Sequence, residues 1–377
     1  MRASRPGLLL HVIFCFGIFS SAKGADVKQT RESGEIFVGA VGCRSSSCHG
    51  GAGEKRSQYI TWSRQDFHSR AFSILTNARS ARIAEAVGGG EAAANARCTV
   101  CHSPLQTVAP AQLASTAHPD EGVSCESCHG AAEPWLRGHT RTDWTYATRV
   151  AAGMHDLRNL YVRANACVAC HQNVDADILK AGHPELVFEL DSQSVNEPKH
   201  WRDEDSWSGV REWLVGQAVA LREVMWAFNT QSAPSDELKA QGWGLSWLLA
   251  ETTNAVPELP KISSGMLKVA EATQKGADDL ARVAAVSNWS EMSVRNLLLA
   301  LASTENQFSG KGVMGPPPAA PQRAQRLVLA LERLSLALNL APNLEKELTA
   351  LREDVTRHYD FNGATFAEHL RAFRAKL

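Results

Sequence analysis

No charge of either sign predominates in this 377-residue chain, where 39 Lys and Arg stand against 40 Asp and Glu. That balance excludes the basic footprint of a nucleic-acid binder. After the first two dozen residues the chain also lacks an apolar run fit to span a bilayer, which takes about 20 residues. The nearest candidate, Trp207 to Phe228, is interrupted by Arg211, Glu212, Arg222 and Glu223. Cysteine is missing from everything after Cys170. A hydrophobic content of 44% with 21% charged residues argues against wholesale disorder, and the length suits two or three domains.

What is present begins with a leader. Arg2 and Arg5 precede an apolar run from Gly7 to Phe19, and small residues occupy Ser20 to Ala22 and Gly24 to Ala25. A basic start, a short greasy middle and a small-residue cleavage site predict a secretory signal peptide over residues 1–24. Cleavage after Ala22 or Gly24 would remove Cys15. The expected product is exported to the periplasm, mildly acidic, without a transmembrane segment, and carries eight cysteines.

Those eight fall into four pairs, each followed directly by histidine. Cys98-Thr-Val-Cys101-His102, Cys125-Glu-Ser-Cys128-His129 and Cys167-Val-Ala-Cys170-His171 are C-x-x-C-H, the attachment signature of c-type haem. Cys43-Arg-Ser-Ser-Ser-Cys48-His49 has four intervening residues instead of two. The chemistry accounts for the spacing. Two thiols reach the two vinyl groups on one porphyrin edge, and the next residue places its imidazole on the iron. Zinc ligation gives no reason for a histidine after every pair. A disulfide framework gives none either. Four covalently bound haems are therefore expected, on Cys43/Cys48, Cys98/Cys101, Cys125/Cys128 and Cys167/Cys170, with His49, His102, His129 and His171 as proximal ligands.

Haem iron takes a second axial ligand that tunes its potential. His68, His139 and His183 are the leading candidates, and His118 and His155 are further ones. His68 lies in the aromatic segment from Trp62 to Phe72, His139 follows His129 by ten residues, and His183 sits in a turn-like Gly-His-Pro. His200, His358 and His369 read as surface residues. Met154 is the only methionine in this stretch, so mostly bis-histidine, low-potential haems are expected.

Cys43 to His183 spans 141 residues for four cofactors. That is too little polypeptide for an independent core around each. Short helices and loops are predicted for residues 25–204. From residue 205 the pattern becomes helical, with Ile262, Met266, Val269, Thr273, Gly276, Leu280 and Val283 on one face, and Leu327, Leu331, Leu334 and Leu338 on another. Gly315 to Pro321 reads as a stiff linker or exposed loop. The fold class is mainly α: a multihaem domain followed, over 205–377, by an antiparallel bundle of about six helices, either a brace for the haem domain or a surface for a partner or a second copy.

Residues about 36–200 resemble the tetrahaem cytochrome c-554 family. The matching pieces are Val41-Gly42-Cys43 with Cys48-His49-Gly50, Phe67-His68-Ser-Arg-Ala71, and Gly122-Val-Ser-Cys125 with Cys128-His129-Gly130. Cys167 to His171 and Gly182-His183-Pro184 complete them. The resemblance implies an electron carrier working with periplasmic redox partner proteins. It also implies His139 on the first haem, His68 on the fourth and His183 on the third. The second haem, on His102, is the one that family can leave open, and His118 or His155 could close it. An open iron there would instead make an oxidoreductase acting on a small nitrogen or oxygen compound.

Overall fold

The computed structural model of the chain describes residues 35–201, 207–262, 270–309, 319–356 and 360–377. The leader with Cys15, together with Met266, Val269, Gly315 to Pro318 and His358, lies outside them. Among the described residues the chain is mainly helical and has no strand. An isolated bridge joins Phe37 to Leu113.

The first half winds through short helices. α1 (Gly39–Cys43), α2 (Gln58–Gln65), α3 (Ala71–Ile74), α4 (Ala78–Ala86), α5 (Ala96–His102) and α6 (Cys125–His129) come first. α7 (Glu133–Leu136), α8 (Tyr146–Ala151), α9 (Leu160–His171), α10 (Ala176–Lys180) and α11 (Leu190–Asn196) follow. Helices this short are not stable alone in water. Side-chain caps help: Asn77, Asn95, Thr145 and Asn159 accept backbone N–H groups at the starts of α4, α5, α8 and α9. Apolar burial contributes little, since the interior here consists of small clusters around Leu105, Trp135 and Leu75.

A buried carboxylate supplies a firmer tie. Glu126, inside the third cysteine pair and only 3% exposed, accepts from Val38 N, Gly39 N and Ala132 N at 3.0, 2.7 and 2.7 Å. Glu121 accepts from Ala40 N at 3.0 Å. The orphan N–H groups at the start of α1 thus find acceptors next to α6, which fastens the first site onto the third.

Among the described residues seven helices occupy the second half, against about six expected: α12 (Ser208–Thr230), α13 (Asp236–Ala255), α14 (Ala270–Ala284), α15 (Glu291–Ala302), α16 (Ala319–Ala337), α17 (Ala341–Thr356) and α18 (Gly363–Arg374). Pro321 lies in the first turn of α16, so that end of the expected linker is helical. α12 is buried on most of its surface and packs against α9, α11, α13, α14 and α16. Its near-continuous apolar run reflects this central place. The charges that interrupt the run are paired: Glu212 with Arg163 at 3.0 Å, and Arg222 with Glu223 and Asp278, each at 2.8 Å. Leu327, Leu331 and Leu334 are fully buried, as their spacing predicts. Val283 is exposed instead, because α14 turns Ala270, Thr273, Ala277, Leu280 and Ala284 inward. No described helix is long and apolar enough to cross a membrane.

The two halves share one core. Leu160, Ala164 and Val168 of α9, with Phe188 and Leu190, belong to the same buried cluster as the bundle. Below them Arg326 donates to Glu189 Oε1 at 2.9 Å, Phe188 O at 3.1 Å and Gln217 Oε1 at 3.1 Å, all buried.

Two substitutions test these ties. Glu126→Ala strands three buried N–H groups and is expected to destabilise the protein by about 3 kcal/mol in urea denaturation; a loss under about 1 kcal/mol would mean that water replaces the carboxylate. Arg326→Ala leaves Glu189 as an unpaired buried charge, with an expected loss of about 3–5 kcal/mol, whereas replacing both partners by apolar residues costs much less.

Candidate metal centres

Three of the four motifs end a helix. In α5, α6 and α9 the two cysteines stand three residues apart and the histidine one residue on, so the thiols share a face and the ring follows at the helix end. The wide first motif reaches a comparable closure by another route. α1 ends at Cys43, the chain turns through Ser45 to Ser47, and His49 N donates back to Cys43 O at 3.2 Å. Gly50 is required there, since a Cβ would overlap the Arg44 carbonyl. No disulfide joins any of the eight cysteines.

Each motif histidine faces a histidine from elsewhere in the chain. His49 and His139 have ring centroids 6.1 Å apart, His102 and His183 6.4 Å, His129 and His200 6.3 Å, and His171 and His68 6.0 Å. Two imidazoles on opposite sides of one metal, each bonded at about 2 Å, hold their centroids roughly 6 Å apart. The spacing therefore fits an axial pair four times over.

Ring orientation fits as well. A ligating histidine commonly uses its second nitrogen to donate to an oxygen, which fixes the tautomer. His49 Nδ1 lies 3.0 Å from Gln58 Oε1, His102 Nδ1 3.1 Å from Ala71 O, His183 Nδ1 2.8 Å from Pro184 O, and His200 Nδ1 3.3 Å from Pro198 O. His139 Nδ1 meets Leu136 O. At His171 the neighbour is the Gln193 amide, 3.1 Å away, whose Oε1 is buried and otherwise unpartnered. Turning that amide over places the oxygen on Nδ1 and leaves Nε2 free to ligate.

His68 differs. Its Nδ1 lies 3.0 Å from Asp66 Oδ1 and 3.2 Å from Glu197 Oε2. Hydrogen bonding to Asp66, then to Glu197, pushes the ring's pKa up to about 10 against the effect of burial. Burial instead pushes His129 and His171 down to about 4 and lowers His102 and His139. Neutral imidazole is the metal-binding form.

Some expected pairings differ. His183 faces His102 of the second site, not the third, because the turn after α10 places it beside α5, where Arg79 donates to Gly182 O. His200, read from sequence as a surface residue, stands opposite His129 of the third site. Its own neighbour Trp201 packs on it at 5.4 Å, Arg163 of α9 covers Trp201, and Glu212 of α12 holds Arg163. No local pattern marks His200, since this support arrives with the bundle. Neither His118 nor His155 faces a motif ring among the described contacts: His155 directs Nδ1 to Cys128 O at 2.8 Å, and His118 lies beside Glu121. Met154 packs in the apolar cluster around Trp135.

The sites touch in a definite order. α1 packs on α6, α6 on α9, and α9 on α5. The thiols follow suit: Cys43 lies near Cys125, Cys128 near Cys167, and Cys170 near Cys101. The run is first, third, fourth, second. A cavity of about 140 Å³, lined in part by Gln58, Lys199, His200 and Trp201, lies between the supports of the first and third pairs.

Comparison with curated proteins and with solved structures gave no match. Residues 42–130, which hold the first three motifs and His68, match the family model described as cytochrome c554 and c-prime. This segment, with two helical attachment motifs and the wide first one, is therefore similar to the c554-like cytochromes.

Proposed function

We propose that this protein is an exported, four-haem c-type cytochrome that carries single electrons between redox partners. The observation that carries the reading is the set of four ring pairs, each joining one motif histidine to one non-motif histidine at 6.0–6.4 Å. Bound haem c would supply a one-electron iron couple whose potential its axial ligands set. The chain's part is to anchor and orient. Cys43 and Cys48, Cys98 and Cys101, Cys125 and Cys128, and Cys167 and Cys170 would hold the four groups. The axial sets would be His49 with His139, His102 with His183, His129 with His200, and His171 with His68. Contact in the order first, third, fourth, second gives a path with the first and second sites at its ends.

Eight histidines for four irons favour transfer over catalysis. The competing oxidoreductase reading needs an open iron at His102, and His183 stands on that side.

Native mass spectrometry of the matured protein is expected to show four added haems, with a low-spin spectrum in both redox states. His183→Ala and His200→Ala should each convert one haem of the four to high spin and let it bind carbon monoxide when reduced. His118→Ala and His155→Ala should leave every haem low-spin. Strong carbon monoxide binding by the unaltered protein would favour the enzyme.

A further inference from the structure

Among the described contacts of the eight facing rings, His68 is the one whose Nδ1 meets carboxylates: Asp66 Oδ1 at 3.0 Å and Glu197 Oε2 at 3.2 Å. Five others meet neutral oxygens, from Gln58, Ala71, Leu136, Pro184 and Pro198. A carboxylate that takes an Nδ1–H bond draws off proton density and makes the opposite nitrogen a stronger donor. Stronger axial donation and nearby negative charge both favour ferric over ferrous iron.

Glu197 directly follows α11, and Gln193 lies one turn earlier in that helix. Residues four apart share a helix face. One short helix therefore holds both rings of the fourth pair, Gln193 at His171 and Glu197 at His68. The same helix is fastened to the bundle. Its N-cap Glu189 pairs with Arg326 at 2.9 Å, Asp191 pairs with Arg333, and Arg333 donates to Ser192 Oγ at 3.0 Å. Gly216 of α12 lets Leu190 lie directly against it; a Cβ there would sit 2.9 Å from the Leu190 Cβ.

We infer that α11 is the element through which the C-terminal bundle sets the potential of the fourth site. Glu197 and Gln193 are its positioning residues, and the fourth site is the lowest-potential of the four. This rests on His68 and His171 sharing one haem iron.

The experiment is an EPR-monitored redox titration of the full holoprotein. The ring planes cross at 88° in the fourth pair, against 14°, 74° and 57° in the first, second and third, so the fourth site has its own spectral anisotropy. Glu197→Gln is expected to shift that haem's equilibrium about tenfold toward the reduced form, or about 59 mV for one electron, and to leave the other three in place. Arg333→Met, which touches neither ring, should shift the same haem by a smaller factor. An E197Q protein that titrates like the parent, or in which all four haems move together, overturns the inference. An unshifted R333M beside a shifted E197Q overturns the bundle's part in it.

Asp66, His68 and Glu197 also bring three ligand atoms within 4.8 Å of one another, a spacing that suits a cation. Chelation of the parent protein should leave the potential unchanged, and a shift equal to that of E197Q would assign the effect to a bound ion. His68→Ala separates the two levels of argument. If every haem stays low-spin, the axial pairing itself is wrong. If one turns high-spin while E197Q is silent, only the tuning fails.

Discussion

Two imidazoles that share one metal have almost no freedom in their separation, and four ring pairs in this chain stand at that separation. The rings come from positions as distant as His49 and His139, or His68 and His171. Bringing them together costs the conformational entropy of the intervening loops, and the first half of the protein buries few apolar side chains to offset it. Polar ties take over part of this work. Glu126 and Glu121 fasten α1 beside α6, while backbone carbonyls and Gln58 hold single rings at Nδ1. Such contacts are directional, so they fix orientation as well as position.

The bundle belongs to the same arrangement. α9 carries the fourth motif on one side and packs Leu160, Ala164 and Val168 into the bundle's core on the other. Through Arg163, Trp201 and Glu212 the bundle supports His200, and through α11 it supports His68 and His171. Anything that loosens α12 must then loosen the third and fourth pairs together. Conversely, a ligand shared by two rings stabilises whichever packing brings them together, because binding to the folded form alone adds to its stability.

The attachment motifs are legible in sequence because the demand that makes them is local: two thiols and a ring must meet one porphyrin edge within a single turn of chain. The axial partners are legible only in part. His139 and His68 sit in aromatic or turn-forming surroundings that persist in the fold, next to Trp135 and behind Asp66. His155 has a similar appearance, yet its ring is spent on the Cys128 carbonyl. His200 shows no local sign, since its orientation depends on Arg163 and Glu212, 37 residues earlier and 12 later. The carboxylate at His68 is hidden for the same reason: Glu197 lies 129 residues away in the chain. Helix faces in the bundle follow their periodicity, apart from Val283, which solvent takes once α14 settles on α12.

Four motifs of one chemical type need not be four equivalent sites. The fourth pair lies inside the contact order, between the third and the second, and among the described residues alone faces two carboxylates. A low-potential site in the interior is occupied rarely at equilibrium, but it does not stop a current. An unfavourable hop onto it slows transfer by about the factor in its equilibrium constant, and the next hop is favourable by the same amount. On the proposed assignment it would divide the molecule into a first–third part and a second-site end, each of which would hold an electron while the other exchanges with a partner. The bundle would then bear on function as well as support, because α11 reaches the site at which electron flow between the two ends would be set.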